Sequence, residues 1–138
     1  MGKIYHSKSE RETIDIACQF SASLKDGDIV FLKGTLGAGK SVFARSVIQT
    51  LSQDPNLIVP SPTFTLVQQY DTPQFPIWHF DLYRLEDPEE IYEIGWEDAL
   101  SEGVLLVEWS ERLAELTPQH FKSVFIEIEG DQRVIDIS

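Results

Sequence analysis

The chain has 138 residues, of which 42% are apolar and 11% are aromatic. This length and composition predict one globular domain, residues 1–138, and exclude an intrinsically disordered chain. The net charge of −12 argues against an extended nucleic-acid surface, and no apolar run approaches membrane-spanning length. The single cysteine, Cys18, excludes an internal disulfide, so we expect a cytoplasmic protein in a reducing compartment.

The first predicted elements are a strand and a helix. Residues 3–7 are typical of a short strand, and Ser9 and Glu12 form an S-x-x-E capping box that opens a helix. Ala17, Phe20 and Leu24 recur at helical spacing and predict the buried stripe of that helix. The Lys-Asp-Gly-Asp sequence at 25–28 indicates the turn that ends it.

A phosphate-loop motif follows. Residues 34–41, Gly-Thr-Leu-Gly-Ala-Gly-Lys-Ser, match G-x-x-x-x-G-K-[ST] at every fixed position. The apolar run at 29–32 predicts a buried strand before the motif, and residues 41–53 predict a helix after it. This context favours a phosphate site over the alternative of a glycine-rich turn before an ordinary helix.

Each residue type in the motif has a physical role at a phosphate. Glycines allow the backbone N–H groups to turn toward phosphate oxygens, and the positive end of the following helix adds to that field. Lys40 can reach the terminal phosphates, and the Ser41 hydroxyl can ligate Mg²⁺. The residues expected to surround the nucleotide here are Gly34, Leu36, Gly37, Ala38, Gly39, Lys40, Ser41 and Val42.

The rest of the chain predicts more strands than helices. Segments 64–70 and 77–82 are rich in strand formers and are joined by a predicted hairpin connection. Asp87 and Pro88 begin a short helix that Gly95 can end. A continuous apolar strand follows at 104–107, and alternating segments at 123–129 and 134–138 flank Gly-Asp at 130–131.

Two acidic residues at predicted strand ends are candidates for the chemistry. Glu108 ends the apolar strand at 104–107, which follows a helix and is expected to be parallel to the phosphate-loop strand. Asp81 follows the hairpin, so the direction of its strand is left open. Parallel strands bring their carboxyl ends to the edge where ligands collect. The alternative for either residue is a surface acid, since the chain has 23 acidic residues.

Other residues receive less specific expectations. Thr63 lies in a proline-bracketed loop, where it either senses a terminal phosphate or simply begins a strand. His79 has no second histidine or cysteine at metal spacing, so we reject a zinc site and expect no metal other than Mg²⁺. Trp96 and Trp109 are expected to be packing residues.

With these residues in view, the chain resembles the TsaE (YjeE) family. The resemblance rests on the phosphate loop and on three further motifs in family order: Ser-Pro-Thr-Phe-Thr-Leu-Val at 61–67, His-Phe-Asp-Leu-Tyr-Arg-Leu at 79–85, and Leu-Val-Glu-Trp at 106–109. It implies a P-loop ATPase of bacterial tRNA threonylcarbamoyladenosine biosynthesis. It further implies that TsaB and TsaD are the partners and that tRNA is engaged only indirectly, through their complex.

The resemblance also implies residue roles. Lys40 and Ser41 would hold phosphate and Mg²⁺, and Glu108 would be a further acid of the magnesium site. Asp81 would support hydrolysis, and Thr63 would lie in a switch-like loop. Further along, Thr13 and Arg133 match positions that approach the nucleotide in the family. Thr35 departs from the family pattern, because it stands where the family usually has an acid.

The combined expectation is one α/β domain of the three-layer P-loop NTPase type, with a mostly parallel sheet that includes an antiparallel hairpin. The expected activity is Mg²⁺-dependent ATP hydrolysis, weak in the isolated protein and stimulated by a partner. The alternatives are a small-molecule P-loop kinase and a non-enzymatic nucleotide-dependent switch. GTP selectivity is disfavoured because the chain has no N-K-x-D signature.

Overall fold

In residues 2–35 and 37–138, which the computed structural model describes, seven strands form one sheet. The strand order across the sheet is β1-β7-β6-β2-β5-β4-β3. The strands are β1 (Lys3–Ser7), β2 (Ile29–Gly34), β3 (Val67–Tyr70), β4 (Ile77–Asp81), β5 (Val104–Glu108), β6 (Lys122–Glu129) and β7 (Gln132–Ile137). The α-helices are α1 (Glu10–Ser21), α2 (Lys40–Ser52) and α3 (Trp96–Ser101), and 3-10 helices occupy Pro88–Ile94 and Ser110–Leu116.

The centre of the sheet is parallel and its edges are antiparallel. Strand β2 pairs in parallel with both β5 and β6, and β5 pairs in parallel with β4. The hairpin of β3 and β4 is antiparallel, as are the pairs of β7 with β6 and with β1. The predicted α/β fold with a parallel centre and an antiparallel hairpin is confirmed.

Apolar side chains from alternate strand positions cover both faces of the sheet. On one face, Val30 and Leu106 pack with residues of α1 and α2 such as Phe20 and Val47. On the other face, the core holds Phe80 and Val107 together with Ile91, Trp96 and Leu113 from the short helices. The chain therefore has three layers, with α1 and α2 on one face of the sheet and the short helices on the other.

The strand predicted at 64–70 is shorter in the structure. It begins at Val67, because residues 63–65 form a turn and Leu66 has a left-handed backbone with φ of 70°. The Leu66 N–H donates to the carbonyl of Pro62, which closes that turn. Tyr70, the last residue of β3, pairs with Ile77 of β4. Burial raises the pKa of the Tyr70 hydroxyl.

The helix starts follow local sequence signals. Ser9 caps α1 by accepting a hydrogen bond from the Glu12 N–H at 3.1 Å. Asp87 and Glu90 form a complete capping box at the 3-10 helix Pro88–Ile94, and Gly95 ends that helix with φ of 91°. These caps stabilise helix ends whose backbone groups have no partner inside the helix.

A close backbone contact locks the start of β5 beside β4. Gly103 has φ of 110°, and a Cβ built on it would collide with the carbonyl oxygen of Pro76. The next residue, Val104, donates its N–H to that same carbonyl at 2.9 Å. Only glycine fits this position, so the strands that end at Asp81 and Glu108 are held in register from their first residues.

We expect Gly103→Ala to lower the free energy of unfolding by about 2–6 kcal/mol, since backbone strain and steric overlap add. Gly27→Ala is the matched control, because Gly27 also has positive φ, of 96°, but its Cβ would meet no atom within 4 Å. Gly27→Ala should cost about 1–3 kcal/mol from strain alone. Urea unfolding measures both variants, and equal losses would show that the contact with Pro76 is unimportant.

Candidate nucleotide site

The phosphate loop connects the end of β2 to the start of α2. Gly34 packs so tightly against β6 that an added Cβ would overlap the carbonyl oxygen of Ile126. Gly37 and Gly39 have φ of 82° and 113°, a conformation that favours glycine. Leu36, one of the residues predicted to contact the nucleotide, lies outside the described residues. The motif thus has glycine where the backbone requires it.

The N-terminus of α2 is the cationic end of the site. Gly39 is the N-cap residue, so no capping side chain occupies the first-turn amides of Lys40, Ser41 and Val42. These amides have no acceptor within the helix, and the helix dipole is positive there. Ser41 is exposed at this end, and its hydroxyl makes no hydrogen bond to any residue in the described ranges. Such a helix start is a ready site for an anion.

Lys40 extends from this helix start toward the end of β5. Its Nζ lies 5.4 Å from the centre of the Trp109 ring, a cation–π distance. Trp109 packs at the surface rather than in the core: its ring centre lies 4.8 Å from that of Tyr83, and the residue is 37% exposed. Trp96 does pack in the core, as expected, and is 2% exposed.

The two candidate carboxylates lie directly opposite each other. Asp81 pairs with Glu108 across β4 and β5, and Glu108 pairs with Leu32 of β2. Both strands are parallel to β2, which resolves the direction that the sequence left open for Asp81. Asp81 is 5% exposed and Glu108 7%, so neither is the surface acid of the alternative interpretation.

Hydrogen bonds hold the Asp81 carboxylate on both oxygens. The Thr63 hydroxyl donates to Oδ2 at 3.2 Å, and the Tyr83 backbone N–H donates to Oδ1 at 3.0 Å. The Thr63 Oγ1 also lies 2.7 Å from the Ser61 Oγ. The proline-bracketed loop is therefore tied to the carboxyl edge of the sheet through Thr63.

The structure shows a hydrogen-bond partner of Glu108 that the sequence did not reveal. The His79 Nε2 lies 2.8 Å from the Glu108 Oε2, and both side chains are buried. A signal was present in the sequence, because His79 and Asp81 alternate along one strand and must therefore share a face of the sheet. Among the described residues there is no group of three His, Cys, Asp or Glu side chains able to hold a metal.

A cavity of about 310 Å³ opens on the other side of the phosphate loop. The predicted residues that line it are Thr13, Gly37, Ala38, Gly39, Val42 and Arg133. It is also lined by residues that the sequence did not assign to the site: Ser7, Lys8, Ser9, Glu10 and Asp131. The size suits a small ligand, and polar side chains dominate the added residues.

Thr13 and Arg133 are held in place by hydrogen bonds at this cavity. The Thr13 Oγ1 lies 2.7 Å from the Ser7 Oγ, which joins α1 to β1. The Arg133 Nε donates to the carbonyl of Ala38 at 3.1 Å, which joins β7 to the phosphate loop. Residues far apart in sequence thus meet around the loop.

The structure therefore divides the predicted residues into two groups. Thr63, Asp81 and Glu108 meet at the carboxyl edge of β4 and β5, with Lys40 beside Trp109 nearby. Thr13, Arg133 and the later glycines of the loop meet at the cavity. Two predicted residues, Gly34 at the end of β2 and Ser41 in the first turn of α2, do not line the cavity.

The layered sheet, the glycine loop before α2 and the carboxylates at the ends of neighbouring parallel strands define a P-loop NTPase-like α/β domain. Similarity to known proteins identifies the family of this chain. Residues 7–135 match the model of TsaE, described as threonylcarbamoyl adenosine biosynthesis protein TsaE. This chain belongs to the TsaE family.

Individual relatives support this assignment over most of the chain. A tRNA threonylcarbamoyladenosine biosynthesis protein TsaE from Rickettsia bellii is 46% identical over 131 residues, covering 94% of this chain and 90% of its own. The protein of the same name from Bacillus subtilis is 36% identical over 128 residues, covering 92% and 78%. The crystal structure of Bacillus subtilis YdiB has a TM-score of 0.79 at 28% identity, covering 99% of this chain and 84% of its own.

Within the described ranges, none of the helices combines the length and apolar character needed to cross a bilayer.

Lys40→Ala should lower nucleotide affinity about 10- to 100-fold, because it removes a charge-assisted contact to phosphate. No carboxylate in the described part of the chain lies within salt-bridge distance of Lys40, so folding should be little affected. Lys33→Ala is the matched control, since Lys33 is a partly buried lysine of β2 with its Nζ 6.0 Å from the Phe31 ring. Calorimetric titration with ATP compares the two, and equal affinities would exclude Lys40 from the site.

Proposed function

We propose that this chain is the ATP-binding and ATP-hydrolysing subunit of the tRNA threonylcarbamoyladenosine modification machinery, acting with TsaB and TsaD in the cytoplasm. In this proposal tRNA is engaged only through the complex. The family assignment supports the pathway, and the names of the relatives state it for those proteins. The hydrolytic activity and the partners are inferred from the site and from the family resemblance.

The pairing of Asp81 with Glu108 beside the phosphate-loop strand carries the proposal. A phosphate loop alone binds a nucleotide, whereas hydrolysis also needs acidic groups near the terminal phosphate. Register brings both carboxylates to the carboxyl edge of adjacent parallel strands, with Glu108 on the strand next to β2 and Asp81 on the strand beyond it. This is the edge at which ligands of open α/β sheets bind.

The residues present fit a magnesium ion bound together with phosphate. The Ser41 hydroxyl and the Glu108 carboxylate offer the hard oxygen ligands that Mg²⁺ prefers. Mg²⁺ usually keeps several waters and uses one or two protein ligands plus substrate phosphates, so a larger cage of acids is not required. When bound there, Mg²⁺ would neutralise charge that develops on the phosphates.

Asp81 would act on the attacking water, and Thr63 would sense the terminal phosphate. The Asp81 carboxylate is oriented by two hydrogen bonds and can accept one from a water molecule near the terminal phosphate. Thr63 now donates its hydroxyl hydrogen to Asp81, so it must leave this partner before it can donate that hydrogen to a phosphate oxygen. The loop that carries Thr63 would therefore change conformation during turnover, as switch loops do.

An exposed surface beside the site supports docking of a partner protein. We call it the aromatic rim, formed by Phe64, Tyr83 and Trp109, which are 81%, 50% and 37% exposed. The Arg84 guanidinium lies 5.0 Å from the Phe64 ring centre, and that of Arg112 lies 5.6 Å from the Tyr83 ring centre. Tyrosine, tryptophan and arginine are the residues that most often dominate binding energy at protein interfaces.

We expect slow phosphate release from ATP by the purified chain, and a rise of at least about tenfold when TsaB and TsaD are added, since partners can complete NTPase sites. Steady-state phosphate release without any added acceptor is the measurement. It also separates the proposal from a small-molecule kinase, which requires an acceptor, and from a switch that binds but does not hydrolyse. Fast turnover of the isolated chain, unchanged by the pair, would contradict the partner dependence.

Phe64→Ala should raise the concentration of the TsaB–TsaD pair that gives half-maximal stimulation of phosphate release. The rise should be equivalent to about 1 kcal/mol or more of binding free energy, as expected for an aromatic contact at an interface. Ile4→Ala is the matched control, because Ile4 is 63% exposed on β1, at the sheet edge opposite β3 and β4. Both variants should retain the ATP affinity of the unmodified chain. Equal effects of the two substitutions would place docking away from the aromatic rim.

A further inference from the structure

The His79–Glu108 pair is a buried polar contact that the steps above do not use. The His79 side chain is 3% exposed, and its Nε2 lies 2.8 Å from the Glu108 Oε2. A polar pair buried beside an apolar core costs desolvation, which its hydrogen bond must offset. The position of this pair at the end of β5 indicates a role beyond packing.

Register determines how the ring approaches the carboxylate. His79 pairs with Leu106, two residues before the pair of Asp81 with Glu108. By strand alternation, His79, Asp81 and Glu108 lie on one face of the sheet, so His79 is the diagonal neighbour of Glu108 on the interior side. The ring thus contacts the Glu108 carboxylate from the side nearer the middle of the two strands.

The hydrogen bond leaves one carboxylate oxygen available. In the described part of the chain, no side chain or backbone group pairs with His79 Nδ1, so Glu108 is the ring's one hydrogen-bond partner there. The arrangement matches a ring protonated on Nε2 that donates to Oε2, because a proton on Nδ1 would be buried without a protein acceptor. The Glu108 Oε1 has no hydrogen-bond partner among the described residues.

We propose that His79 is a positioning residue that fixes the Glu108 carboxylate by Oε2, which would leave Oε1 available to hold a magnesium ion. The inference rests on the proposed function, which assigns Glu108 to the magnesium site. Hydrogen bonds to a ligating carboxylate restrict its rotamers, and their loss typically costs 10- to 100-fold in metal affinity or activity. A histidine that merely fills space beneath the strand would have no such effect on metal.

The test compares two substitutions at position 79. His79→Leu removes the donor and substitutes an apolar side chain, whereas His79→Gln keeps an N–H donor of similar reach. The readout is the Mg²⁺ concentration that half-saturates the metal-dependent binding of the ATP analogue AMP-PNP, measured by calorimetry. His79→Leu should raise this midpoint about 10- to 100-fold. His79→Gln should keep the Mg²⁺ midpoint close to that of the unmodified chain. Binding of AMP-PNP in EDTA should be unchanged in both variants.

A coupled variant shows whether His79 acts through Glu108. Glu108→Gln alone should raise the Mg²⁺ midpoint, and adding His79→Leu to it should cause no further rise, since the two residues act as one unit. A normal midpoint in Glu108→Gln would overturn the proposed magnesium role of Glu108. A raised midpoint in Glu108→Gln with a normal one in His79→Leu, or additive rises in the double variant, would overturn the role of His79 alone.

An NMR measurement on the unmodified chain tests the hydrogen bond independently of how the variants fold. Long-range ¹H–¹⁵N spectra of the histidine rings distinguish the two tautomers. The expected result for His79 is a proton on Nε2 and none on Nδ1, protected from exchange with solvent. A proton on Nδ1 with a bare Nε2 would overturn the proposal, because the ring could not then donate to Glu108.

Discussion

Parallel pairing of β4, β5 and β2 is the constraint on which the site depends. It aligns the carboxyl ends of three strands, so that Glu108 lies between Leu32 and Asp81 in the same row. A slip of one residue would turn His79 and Asp81 to the opposite face of the sheet. The tight contact of Gly103 with Pro76 opposes such a slip at the far end of the same strands. A backbone contact remote from the phosphate loop therefore helps to determine the chemistry at the other end of the strands.

The carboxylates at this edge are buried, and their hydrogen bonds make that burial tolerable. Asp81 accepts two hydrogen bonds and Glu108 one, which offsets part of the cost of removing them from water. The same bonds limit the orientations of the side chains. Groups fixed in this way need little reorganisation when charge develops next to them, which is the basis of electrostatic catalysis.

The two sides of the phosphate loop differ in character, and the proposed function uses the difference. On one side is the polar cavity, closed by α1 and β7, where Arg133 bonds the loop carbonyl of Ala38. On the other side are the exposed rings and arginines of the aromatic rim, on a chain with a net charge of −12. A nucleotide would be enclosed on the cavity side. A protein partner would approach from the rim, where it could order the Thr63 loop or contribute a group to the terminal phosphate.

The sequence alone determined the phosphate loop, its flanking strand and helix, the capped helix starts and the two acids at strand ends, because each depends on neighbouring residues. It did not determine the start of β3, where the left-handed Leu66 overrides the strand-forming residues before Val67, or the turn that exposes Trp109. Nor did it reveal the His79–Glu108 bond, or the cavity that joins Ser7 and Asp131 to the loop. Those features depend on which strands become neighbours and in which register. Strand pairing is decided by the packing of the whole chain, so only the tertiary structure brings these side chains together.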